Sequence, residues 1–189
     1  MRSLAIDRAA TEVGPLPRLL GPAFAFLAPA VVRAHGGAAP AWTGHADVRR
    51  SRNPVAWLLC ELLRLPRSGR DVPVSLRFEP RGDAERWTRD FAGRRYASDL
   101  WTEDGLLVER MGWATLLFRV DGVGGALRQT LTAVRLAGVT FPAWATPRCI
   151  ATEREEDGAL AFDIPVDLPW LGRAIRYSGR LRPVSEKLA

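Results

Sequence analysis

The chain has 189 residues, 47% of them apolar and 25% charged, which suits one globular domain with its own core and excludes disordered, collagen-like and membrane-embedded classes. Its 27 basic and 21 acidic residues give a net charge of +6, and every base except Lys187 is an arginine. The arginines are scattered, the longest cluster being Arg49, Arg50 and Arg52, whereas a nucleic-acid binder gathers its positive charge on a stripe that matches the phosphates. No nucleic-acid partner is expected.

A single domain over 1–189 is expected, with residues 1–19 loosely ordered, helices and a first strand over 20–65, and an antiparallel meander over 66–183. The run LLGPAFAFLAPAVV has the length of a secretory signal core, but Asp7, Arg8 and Glu12 precede it and Pro22 and Pro29 interrupt it. It is also too short to span a bilayer. It is read as a helix from near Pro22, with Pro29 starting a second turn or kink. Cytoplasmic residence and no membrane partner are expected. AWTGHADVRR is the first strand, and NPVAWLLCELLRLP is a helix capped by Asn53, with Pro54 at its first position and a stop before Pro66.

Beyond Pro66 the pattern is strand almost throughout, from VPVSLRFEP to RAIRYSGRLRP, with alternating or β-branched and aromatic segments. The joints are turn chemistry: Arg81-Gly82-Asp83, Ala92-Gly93, Asp104-Gly105, Gly124-Gly125 and Asp157-Gly158. Eight to ten strands joined to their next neighbours make the fold mainly β, an up-and-down meander curled into a lipocalin-like barrel or half-barrel that removes exposed edges. The two N-terminal helices cover an open end or one face.

Strand parity nominates the interior. Trp87, Arg89 and Phe91 share one face, as do Leu107, Glu109 and Met111; Phe162 and Tyr177 fall on the apolar faces of the last two strands. A lone guanidinium on such a wall costs several kcal/mol, on the order of the penalty for an unpaired ion out of water, so Arg89 requires a carboxylate, with Glu109 and Glu153 as candidates. Arg89, Glu109 and Tyr177 are the candidate catalytic groups, and Trp87, Phe91, Met111, Glu153 and Phe162 the candidate ligand contacts. Trp144 and Trp170, in proline-flanked loops, are candidates to gate the barrel mouth. A purely structural ion-pair network is the alternative.

Cys60 and Cys149 have no CxxC partner, and two reduced, buried thiols fit better than the alternative of one disulfide. His35 and His45 lack metal-ligand spacing, so no metal is expected. His35 is read as a helix-end imidazole facing terminal carbonyls, and His45 as part of a solvated face. There is no GxGxxG at a strand–helix junction, GxxxxGK[ST] or GxSxG, and no cofactor is expected.

The order Trp87-Thr-Arg89-Asp-Phe91, Tyr96-Ala-Ser98, Glu109-Arg110-Met-Gly112, Gly138-Val-Thr-Phe-Pro142, Glu156-Asp157-Gly158 and Tyr177-Ser-Gly179-Arg-Leu181 resembles the bacterial family known as domain of unknown function 4166, over roughly Leu20 to Pro183. Phe141-Pro142 departs from the Leu-Pro expected there. The resemblance implies a small β-rich domain working beside nicotinamide-dependent reductases. Combined with the residue reading, the expectation is a small-molecule-binding barrel for a hydrophobic, oxygenated metabolite of polyketide or terpenoid type, acting as a cofactor-independent cyclase or isomerase of secondary metabolism. The alternative is a non-catalytic carrier or accessory domain with a reductase as partner.

Overall fold

The computed structural model describes residues 14–184. Ten strands, β1 (Ala41–Arg50), β2 (Gly69–Arg81), β3 (Ala84–Phe91), β4 (Arg94–Glu103), β5 (Leu106–Met111), β6 (Ala114–Val123), β7 (Ala126–Leu136), β9 (Arg148–Glu156), β10 (Ala159–Leu168) and β11 (Gly172–Pro183), pair antiparallel in that order. The ladder between β1 and β11 closes the ring. The two-residue strand β8 (Val139–Thr140) hairpins onto β7 outside it. The sequence leaves barrel or half-barrel open; the structure is a closed barrel.

Closure demands tight curvature, and the seam shows how the chain supplies it. Gly44 lies opposite Leu181, and Gly179 opposite Ala46. A Cβ on Gly44 would meet the Arg180 carbonyl at 1.9 Å, and one on Gly179 the His45 carbonyl at 2.2 Å, so only glycine lets the two backbones fold past each other here. Register shifts at Ala46/Val48, Leu117/Phe118 and Val166/Asp167 add local bends.

The two barrel ends differ. One end, the floor, carries the turns after β2, β4, β6 and β9, and the N-terminal segment plugs it: α1 (Pro15–Leu20), a 3-10 helix (Gly21–Phe26) and α2 (Pro29–His35). Arg18 pairs with Asp83 at 2.8 Å, Ala28 N–H donates to Gly125 O at 2.7 Å, and Ala30 N–H donates to Glu155 Oε2 at 2.6 Å. The expectation of loose order over 1–19 therefore fails at α1, where Pro15 fits the first helical position and Leu16 is fully buried; residues 1–13 lie outside the described part.

The opposite end is the mouth, flanked by α3 (Pro54–Leu62), which Asn53 caps by accepting from Val55 and Ala56 N–H at 2.9 and 3.3 Å. Glu61 ties α3 to the rim by accepting from Arg50 at 2.6 Å and Arg94 at 3.0 Å. Those arginines hold its carboxyl below the usual range despite the opposing effect of desolvation.

Gly179→Val is expected to destabilise the barrel by about 1–3 kcal/mol, the scale of overpacking. Gly82→Asn, at a positive φ with open space around it, is expected to cost well under that, because Asn tolerates the left-handed region. Urea denaturation of both variants checks the seam; equal stability would contradict it.

Candidate functional site

A hollow remains inside the barrel. A cavity of about 470 Å³ opens at the mouth, its wall mostly apolar and including Leu116, Leu131, Val134, Ile164, Val166 and Ile175. Leu59 and Cys60 of α3 and Leu63 just after it form part of its rim.

A diagonal of polar side chains crosses this wall on three adjacent strands. Trp87 pairs with Ser98 and Arg89 with Tyr96 across β3 and β4, while Leu100 pairs with Glu109 across β4 and β5. Inward-facing Arg89, Ser98 and Glu109 therefore fall on a diagonal within side-chain reach. Arg89 Nη2 donates to Glu109 Oε1 at 3.0 Å, Arg89 Nη1 donates to Ser98 Oγ at 2.7 Å, and Ser98 Oγ donates to the same carboxylate oxygen at 2.6 Å. The guanidinium carbon stands 5.0 Å from the Trp87 ring centre and 5.4 Å from that of Tyr96, within cation–π range. Burial alone would pull the Arg89 pKa down, but Glu109 and the two phenols outweigh it and the guanidinium stays charged.

Trp87 links this group to a second one nearer the floor. His35 stacks on Trp87 with centroids 5.2 Å apart, and Trp87 Nε1–H donates to Glu85 Oε2 at 2.6 Å. His35 Nε2 lies 2.5 Å from Glu153 Oε2, while Nδ1 has no partner among the described residues. Burial raises the Glu85 pKa even against its tryptophan hydrogen bond and His35. The helix-end reading of His35 is thereby corrected: the imidazole is 2% exposed and turns inward to a carboxylate because α2 is the plug. Glu153 serves His35 and not Arg89.

Further polar groups lie on the wall. Gln129, itself buried, lines the cavity. The buried Tyr96 hydroxyl makes no well-formed hydrogen bond and has Tyr177 as its neighbour, which lines the same space. Burial holds both phenols above their ordinary pKa, Tyr177 by a wide margin. They are hydrogen-bonding acids at neutral pH. Burial likewise pushes the Cys149 thiol up to about 12. Both cysteines are free and buried.

Of the candidates from sequence, Arg89, Glu109, Tyr177, Trp87, Met111, Glu153 and Trp170 line the cavity. Phe91 and Phe162 face inward as expected but pack against Tyr177, at 5.7 and 6.4 Å, without lining the hollow. Trp144 sits outside the cavity and touches Trp170 at 5.5 Å. His45 is exposed, as its parity implies. Sequence reasoning missed Ser98 and Gln129 as site groups, although both share parity with inward apolar residues; it had no signal for the contribution of α3. Among the described residues, no three His, Cys, Asp or Glu side chains converge as metal ligands would, and no helix is long and apolar enough to cross a membrane.

Closed antiparallel strands around an apolar cavity with a charged diagonal define a β-barrel domain whose architecture fits ligand binding. The family model described as "Domain of unknown function (DUF4166)" matches residues 27–181, and the chain belongs to that family. None of the curated proteins compared with the chain matches it.

Glu109→Leu alone is expected to cost about 3–5 kcal/mol by stranding the guanidinium, whereas Arg89→Leu/Glu109→Leu falls near zero or stabilises. Urea denaturation measures the cycle, and a harmless single substitution would mean that the pair is solvated. The chain has two tyrosines, both buried here, so phenolate absorbance reports on this site. With folded pKa values above the unfolded value of 10.0, their contribution to stability is complete below that pH and declines as pH rises through it. Phenolate absorbance is therefore expected to appear above pH 10 together with unfolding, and native titration of both tyrosines near 10 would contradict their burial.

Proposed function

We propose that this barrel binds a hydrophobic, oxygen-bearing small molecule, with the apolar wall taking its carbon skeleton and the Arg89–Ser98–Glu109 diagonal orienting its oxygen. The observation that carries this reading is a charged guanidinium, fixed by two side chains, on the wall of a hollow lined mostly by apolar side chains. Convergent polar groups in an apolar pocket are the usual pattern of specific small-molecule sites. The chemistry that suits such a hollow is shape-directed. A flexible polyketide- or terpenoid-type chain folds against the wall and its carbonyl is polarised by Arg89 and the protonated Tyr177. A proton moves through Glu109 in a cyclisation or isomerisation that leaves atoms and oxidation state unchanged.

A carrier, or an accessory domain to a reductase, is the second reading, favoured by one observation: Arg89 Nη1 and Nη2 are engaged by Ser98 and Glu109, which suits retention of a ligand without turnover. The free thiols of Cys60 and Cys149 suit a reducing compartment such as the cytoplasm.

The test uses two probes of equal length, an alkane and its methyl ketone, titrated against tryptophan emission. The ketone is expected to bind saturably, and Arg89→Leu/Glu109→Leu to weaken it roughly tenfold or more, the worth of a charged hydrogen bond, while leaving the alkane unchanged. Equal effects on both probes, or no saturable binding, would contradict the assignment. Mass spectrometry of the returned ligand separates the roles: rearranged product supports the enzyme, unchanged ligand the carrier.

A further inference from the structure

The exposed apolar side chains of the barrel are not evenly spread. Of the thirteen large hydrophobic residues that stand exposed among the described residues, Phe26, Val123, Ile150 and Val184 lie elsewhere and the other nine crowd the mouth. They include Leu58 and Leu62 on α3, Trp113 in the β5–β6 turn, Trp144 before β9 and Trp170 in the β10–β11 turn. The turns at the two ends are built differently. Three of the four floor turns carry an acid, Asp83, Asp104 and Asp157, and the fourth is Gly124-Gly125; the mouth turns Ala92-Gly93, Gly112-Trp113 and Pro169 to Gly172 carry none.

Trp170 sharpens the contrast. It has a φ of +58° and is 79% exposed. A bulky residue in the left-handed region is strained, and contact with the also exposed Trp144 returns little of that cost. Strain held at an exposed aromatic points to something outside the chain.

Unpaired arginines are also more numerous at this end than at the floor, where Arg33, Arg81 and Arg182 lack a carboxylate among the described residues. Arg49, Arg52, Arg64, Arg67, Arg70 and Arg148 have no carboxylate within 4.0 Å among the described residues. The acids here are taken: Glu61 by Arg50 and Arg94, Asp90 by Arg95, Asp167 by Arg173. Asp47 and Asp71 face a separate groove on the β1–β11 flank. Arg49, Arg52 and Arg67 share an open groove of about 860 Å³ with the half-exposed Trp57. An apolar ring of tryptophan and leucine around the entrance to a greasy cavity, bordered by unpaired arginines, complements a negatively charged surface with hydrocarbon beneath it. Indoles favour that boundary, and basic residues are drawn to anionic headgroups.

We propose that the mouth is a docking surface for an anionic phospholipid bilayer. Trp113, Trp144 and Trp170 seat among the headgroups, Arg49, Arg52 and Arg67 pair with phosphates, and an apolar ligand passes between bilayer and cavity without crossing water. This departs from the expectation of no membrane partner, which rested on the lack of a spanning segment. Peripheral docking needs only a rim. The inference rests on the cavity reading for its purpose, but its test does not.

The experiment is co-sedimentation of the full chain with phosphatidylcholine vesicles, with and without phosphatidylglycerol, monitored also by tryptophan emission. Binding is expected to the anionic vesicles with a blue shift, tenfold or more weaker to neutral ones, and weakened by salt. Arg49→Gln/Arg52→Gln/Arg67→Gln is expected to lose about a hundredfold in affinity, and Leu58→Ser/Leu62→Ser to lose the blue shift, with both variants retaining the thermal transition of the parent and binding of the soluble ketone probe. No preference for anionic vesicles, or rim substitutions without effect, overturns the proposal. So does a concentration-dependent dimer that forms through the rim while vesicles are ignored. Loss of vesicle binding with ketone binding intact discards docking alone; intact docking without ketone binding discards the cavity reading alone.

Discussion

The Arg89 guanidinium has to be neutralised inside the barrel, and this constraint organises much of what surrounds it. An ion on a hydrocarbon wall is tolerated only with a partner and satisfied hydrogen bonds. The strand register supplies both: Ser98 and Glu109 stand on the next two strands along one diagonal, and Trp87 and Tyr96 lay their rings against the cation. Tyr177, whose phenol is held protonated by burial, faces the same space. The arrangement fixes β3, β4 and β5 relative to each other and presents a permanent charge to an apolar hollow.

The closed floor and the open mouth give that hollow a direction. At the floor, α2 brings His35 down onto Glu153 and Trp87, so the plug is held by polar contacts in addition to its buried Ala30, Val31 and Ala34. At the mouth, α3 is strapped to the rim through Glu61, and its Leu59 and Cys60, with Leu63 just after it, contribute to the cavity wall. The hollow opens at the mouth, where the exposed tryptophans and several unpaired arginines also lie.

The meander was legible in the sequence because alternation and glycine-bearing turns are local signals. β1 spans the residues that the pattern marks, and Asn53 caps α3 as its spacing implies. Strand parity also placed Arg89, Glu109 and Tyr177 on the inner wall. What it could not supply was height along the barrel axis. Glu109 and Glu153 both face inward, and only the cross-strand register puts the first beside Arg89 and the second at the floor under His35. The same limit explains Phe91 and Phe162, which point inward at levels where side chains fill the barrel. His35 meets a residue 118 positions away, and no local pattern encodes such a contact. The short strand β8 and the helical order of α1 were missed because each depends on packing against an already formed barrel.

A crystal structure of the purified protein tests the central claim most directly. The account predicts an unfilled or ligand-occupied hollow, with the Arg89 guanidinium inside it against Trp87 and bonded to Glu109. A lumen packed solid with side chains, or that guanidinium turned outward into bulk water, would contradict it.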